Sequence, residues 1–143
     1  MMPVPYAPDV RFRPGADMAS LPLTTSSAQK GGAPLEMSGI AFGTTDWSSV
    51  DATQHKGESG FAYWRTRQFG GMRVRMIEYT PGYVADHWCT KGHILLCVDG
   101  ELHTELEDGR TFTLRPGMSY QVGDGAEPHR SYTEIGAKLF VVD

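Results

Sequence analysis

Beyond Met37 the chain is written in short segments whose apolar and polar residues alternate with a period of two, the spacing at which an extended strand presents opposite faces. From Phe61 to Phe69, Ala62, Trp64, Thr66 and Gln68 share one face and Tyr63, Arg65, Arg67 and Phe69 the other, and Gly70-Gly71 then marks a turn. Met72 to Thr80 sets Met72, Val74 and Met76 against Arg73 and Arg75 and stops at Pro81-Gly82, so the two segments predict a hairpin. Ile94 to Val98 is a short apolar run closed by Asp99-Gly100. Glu101 to Leu106 turns Leu102, Thr104 and Leu106 inward, and Thr111 to Leu114 follows through Glu107-Asp108-Gly109-Arg110. Met118 to Val122 and Ala137 to Val142 bring the total to about eight strands, with no helical segment longer than about two turns. Strands this short at this spacing predict an all-β closed barrel or sandwich.

Residues 1 to 36 have a different texture, rich in Pro, Gly, Ser, Thr and Ala without either period. They are read as an irregular N-terminal arm whose apolar islands, Val4 to Tyr6 and Leu21 to Leu23, could pack on the barrel or on a neighbour. The barrel domain is residues 37 to 143, and a chain of 143 residues has room for one such core. With 13 basic residues and a formal charge of -4 there is no broad basic field for nucleic acid. No apolar run approaches a membrane span and the N-terminus lacks a basic-then-apolar signal, so a cytoplasmic location is expected. In that compartment Cys89 and Cys97 are expected to be free thiols.

The stretch that carries chemistry is Asp86-His87-Trp88-Cys89-Thr90-Lys91-Gly92-His93, joined further on by Pro128-His129. Positions two apart in an extended segment share a face, so His87 and Cys89 can grip one ion together. His93 lies beyond the Lys91-Gly92 turn, and His129 comes from a separate strand across the barrel. A single histidine in a strand is ordinarily structural or solvent-facing, and a single cysteine is ordinarily a small core residue. Three donors within seven residues and a fourth at a barrel-compatible distance point instead to one divalent metal held by His87, Cys89, His93 and His129. Imidazole and thiolate suit a transition metal, zinc first, with iron, nickel or manganese as alternatives. Cys97 shares its parity with His93 and Leu95 and is read as barrel filling, while His103 and His55 are read as solvated.

Gly82 to Thr133 resembles the two motifs of the cupin superfamily. In the first, a glycine precedes His-x-His, and an acidic ligand and a second glycine follow at set spacing. Here Gly82, His87, Cys89, His93 and Gly100 stand at those positions, with cysteine for the second histidine and histidine for the acidic ligand. The segment Gly117 to His129 resembles the second motif, with Gly123 at its proline position and one extra residue before His129. Asp86-His87-Trp88-Cys89 is similar to the signature of the DHCW-motif cupins, over about Met37 to Asp143. The resemblance implies a single-domain cupin, a double-stranded β-helix or jelly-roll barrel, that binds a metal, pairs as a homodimer and has no assigned activity.

These readings lead to a metal-dependent enzyme on a small polar organic molecule, dioxygenase-like or isomerase-like. The alternative is a non-catalytic binding or sensing module with a structural zinc site. Trp64, Tyr120 and Gln121 are the candidate substrate contacts, with Arg73 and Arg75 beside them. No nucleophile elbow or phosphate-binding glycine loop is present.

Overall fold

The structure is a computed structural model, and it describes residues 37 to 143; the arm expected over residues 1 to 36 lies outside the described residues. Among the described residues the elements are a 3-10 turn, Trp47–Ser49, and nine strands: β1 (Ala52–Lys56), β2 (Phe61–Phe69), β3 (Met72–Tyr79), β4 (His93–Gly100), β5 (Leu102–Leu106), β6 (Thr111–Leu114), β7 (Ser119–Val122), β8 (His129–Tyr132) and β9 (Ala137–Val142). Six of them form one antiparallel sheet in the order β1-β2-β3-β9-β4-β7, and β6-β5-β8 form a second. Among the described residues no helix is long and apolar enough to cross a membrane.

Alternation places the core between the two sheets. Ala62 on β2, Ile77 on β3, Leu95 and Cys97 on β4, Leu102 on β5, Leu114 on β6 and Leu139 and Val141 on β9 make one buried cluster. Each large aliphatic side chain of that set contributes roughly 1.5–3 kcal/mol by leaving water. Register makes these side chains meet: Ile77 opposes Leu139, and Leu139 opposes Cys97, so three adjacent strands point into the same layer. Gly100 closes the turn from β4 to β5 at φ +75°, and a Cβ there would stand 2.1 Å from the Gly136 carbonyl oxygen. Only glycine fits both the conformation and that approach.

One described strand lies outside the sequence reading. β1 falls in a polar run, Ala-Thr-Gln-His-Lys, because it is a sheet edge exposed along its whole length and carries no apolar face. β8 carries His129 and supplies the separate strand expected for it. On β3 the inward side is Arg73, Arg75, Ile77 and Tyr79, while Val74 and Met76 face outward toward the side where Trp47 packs edge-on against Phe140, its ring centroid 6.3 Å away. His103 is not solvated as expected: its ring stacks on Tyr132, centroids 4.9 Å apart, and its Nδ1 lies 2.9 Å from the Thr113 hydroxyl.

Candidate metal centre

The loop after β3 runs along β8, and three contacts hold its stretch from Cys89 to Gly92. Cys89 and His129 exchange backbone hydrogen bonds of 2.8 and 3.0 Å. The Gly125 amide donates to the Thr90 carbonyl at 2.8 Å, and the Gly92 amide donates to Asp124 Oδ1 at 2.7 Å. Gly92 allows the last of these, because a Cβ there would lie 2.6 Å from the Asp124 nitrogen. The fastening brings the chain from Cys89 to His93 against β8 and against the loop preceding it.

The result is a cluster of three donors. One ligand atom each from Cys89, His93 and His129 lies within 4.8 Å of the others. His129 Nε2 and His93 Nε2 are 3.1 Å apart, the separation of two nitrogens at roughly 2.0–2.1 Å from one shared ion. His129 Nδ1 lies 2.9 Å from the Glu127 carbonyl, which can only accept. The proton is therefore on Nδ1, and Nε2 offers its lone pair to the cluster. Burial, and then the neighbouring His129, push the His93 pKa down to about 4, so this ring is a neutral donor at ordinary pH. Two imidazoles and a thiol make a donor set that fits a borderline transition metal and suits magnesium or calcium poorly.

The donors stand on the wall of a cavity of about 370 Å³ between the sheets. Trp64, Arg73, Arg75 and Tyr120 stand on the same wall.

Solved structures share this architecture. A predicted oxalate decarboxylase from Thermotoga maritima superposes with a TM-score of 0.60 at 12% identity, over 69% of this chain and 96% of that one. Ectoine synthase from P. lautus gives 0.58 at 19%, over 71% and 76%. A sugar phosphate isomerase of the cupin superfamily from Silicibacter pomeroyi gives 0.54 at 16%, over 70% and 74%.

The fold is that of the cupins.

No protein-family model and no curated protein matches the chain, and at these identities the likeness is one of fold.

Within the cupin barrel, the four residues proposed from sequence separate into a trio and a neighbour. His87 lines the cavity at its rim with its side chain 75% exposed, its Nδ1 2.6 Å from Asp86 Oδ1, and it stands outside the group of three. The difference follows from the backbone: the loop bonds to β8 at Ala85–Ser131 and again at Cys89–His129, so four loop residues span two of the strand and His87 lies in the unpaired bend between them. Of the candidate substrate contacts, Trp64 and Tyr120 line the main cavity. Gln121 points the other way and lines a smaller hollow of about 210 Å³, which Tyr120 and His129 separate from the first.

Asp143 has no counterpart in the sequence reading. Its side chain is 0% exposed and lies between Arg73, Arg75 and His93, with Oδ2 3.8 Å from His93 Nδ1. Burial pushes its carboxyl up, and the hydrogen bond from Arg73 with the charges of Arg75 and Arg73 outweighs that, leaving its pKa below the usual value. Register places it there: Ile94 opposes Val142, so the residue before Ile94 and the residue after Val142 face each other on the inner side. Tyr120 completes the wall. Its hydroxyl is 3.0 Å from His93 Nε2, and burial raises its pKa well above the ordinary phenol value, keeping it protonated.

Proposed function

We propose that the protein is a metal-dependent enzyme acting on a small polar organic molecule, with a divalent transition metal held by Cys89, His93 and His129. The observation that carries this reading is the convergence of those three donors on the wall of a cavity large enough for a small metabolite. Three protein ligands leave a coordination position for substrate or water, the arrangement of catalytic rather than structural zinc sites. A bound ion would supply Lewis acidity to a substrate oxygen and hold it in place.

The chain's own groups would supply the rest. His129 keeps its lone pair on the cluster through the Glu127 carbonyl. The protonated Tyr120 hydroxyl stands within hydrogen-bond reach of the same donors, where it can give a proton to a substrate oxygen and recover it. Of the two reaction kinds suggested by sequence, this favours the isomerase-like one, which moves protons without consuming an oxidant. Two fold neighbours are named for an oxalate decarboxylase and a sugar phosphate isomerase, both acting on small polar molecules.

A closed structural zinc site would need His87 as its fourth donor, and its exposure and pairing with Asp86 support the open arrangement instead. Ile94, Leu96 and Val98 form an exposed apolar row on the outer side of β4, which supports pairing of two copies.

The test is elemental analysis of tag-free, untreated protein beside His87→Ala, Cys89→Ser and His129→Ala. Near-stoichiometric metal in the wild type and in His87→Ala, lost in His129→Ala, is the expected result. Metal-free wild type that also fails to take up zinc, iron, nickel or manganese overturns the reading.

A further inference from the structure

Arg73 and Arg75 stand two residues apart on the inward side of β3, and both guanidinium groups close on one carboxylate. Arg73 donates from Nε and Nη2 to Asp143 Oδ1 and Oδ2 at 2.8 and 3.1 Å, and Arg75 donates from Nη2 to Oδ2 at 2.7 Å. Two cationic side chains thus share a single anionic one, and Lys91 adds a third cation to the same wall. The remaining cation there, Arg130, has its charge met by Glu58 and Glu105 at 3.8 and 3.3 Å, though its Nε too is buried without a hydrogen-bond partner among the described residues.

The arginines also have donor capacity to spare. The Arg75 side chain is only 7% exposed, yet its Nε is buried without a hydrogen-bond partner among the described residues. Trp64 Nε1 is in the same condition. The Trp64 ring centroid lies 4.5 Å from the Arg75 guanidinium carbon and 5.9 Å from that of Arg73, within cation–π range of both. Buried N–H groups are ordinarily satisfied, so unmade bonds beside an excess of positive charge on a cavity wall mark a place for an anion. That place adjoins the metal donors, because the Asp143 oxygen that accepts from Arg75 is 3.8 Å from His93 Nδ1.

We propose that Arg73 and Arg75, backed by Trp64, form a carboxylate-binding subsite beside Cys89, His93 and His129, and that the substrate is a small organic carboxylate. A planar carboxylate fits a guanidinium fork, and the wall carries more cationic side chains than the one Asp143 carboxylate matches. The assignment of a substrate rests on the metal-enzyme reading; the anion subsite itself does not.

The experiment titrates the full chain, loaded with cobalt(II), with malonate and with its neutral isostere malonamide at constant ionic strength, following the visible bands of cobalt. The same titrations are followed by melting temperature on chelator-treated protein. Arg73→Gln is the variant, since Arg73 is the more exposed of the pair and its replacement leaves the Arg75–Asp143 contact in place. Expected are equal cobalt uptake by both proteins, bands and melting temperature that respond to malonate and not to malonamide, and malonate affinity at least about tenfold weaker in Arg73→Gln. Equal response to malonamide, or malonate binding unchanged by Arg73→Gln, overturns the subsite. Failure to take up cobalt counts against the metal reading alone; malonate that still raises the melting temperature of the wild type and not of Arg73→Gln then upholds the subsite, and malonate that raises neither overturns it.

Discussion

Cys89 and His129, far apart in sequence, are locked side by side by two reciprocal backbone hydrogen bonds of 2.8 and 3.0 Å that tie the loop to β8. Because main chain holds the pair, either side chain can be exchanged without moving the other. Cys89→Ser and His129→Ala should therefore remain folded, with thermal melts of the chelated proteins close to wild type, while zinc affinity falls by more than about a hundredfold, the upper range for groups that merely support a ligand. Competition with a zinc-sensitive dye measures this; variants that keep wild-type affinity would exclude the residue as a donor.

The same geometry separates the two thiols. Cys97 is fully buried in the core, and burial raises its thiol pKa; Cys89 is part-exposed on the cavity wall. Native protein should react with a disulfide-exchange reagent at one thiol per chain, that one being Cys89, and zinc should suppress the reaction. Two reactive thiols in the native state, or no protection by zinc, would contradict the placement.

How far the sequence reached can be judged from β3 and β4. On β4 the alternation of His93, Leu95 and Cys97 against Ile94, Leu96 and Val98 is plain, and the inward side is as expected. On β3 the alternation is equally plain, but the arginine face turns inward, because at that end of the barrel the interior is a polar cavity with a buried carboxylate waiting for both cations. Period tells which residues share a face; only tertiary register tells what the face meets. Asp143 was invisible for the same reason, as its role depends on strand neighbours and on no local motif. The Cys89, His93 and His129 grouping was legible because their spacing is local except at His129, and the second motif supplied that one.

Two glycines make contrasting tests of the loop. At Gly92 an added Cβ meets the Asp124 nitrogen at 2.6 Å and the Gly123 carbonyl carbon at 2.8 Å, so Gly92→Ala must prise the loop off its neighbour. At Gly100 the clash is with Gly136, on the β4 to β5 turn and away from the three donors, and the positive φ adds strain. Both should lower stability by about 1–3 kcal/mol in urea unfolding. Gly92→Ala should weaken zinc binding as well, whereas Gly100→Ala should leave the affinity of the folded fraction unchanged. The reverse pattern would mean that the fastening of Gly92 to Asp124 does not position the donors.

Metal-free protein should lose stability on mild acidification, and the sign follows from His93. Burial and the nearby His129 lower its pKa from the ordinary 6.5 to about 4 in the folded chain, while the unfolded chain keeps the ordinary value. Between those two pH values the unfolded state binds a proton that the native state refuses, so stability falls as pH drops from about 6.5 to about 4 and is independent of this group above that window. Asp143 acts in the same direction at lower pH: its folded pKa is depressed, so its contribution is present above the unfolded value and is lost as pH falls through the folded one. Urea midpoints measured from pH 7.5 to pH 4 in the presence of chelator should decline through this window, and His93→Gln should flatten the upper part of the slope. Zinc should steepen the loss, because protonation of the donors in the unfolded chain is then coupled to release of the ion. A wild-type midpoint that stays level to pH 4 without metal would show that His93 takes up its proton in the folded barrel, and the close approach of its Nε2 to His129 could not then hold.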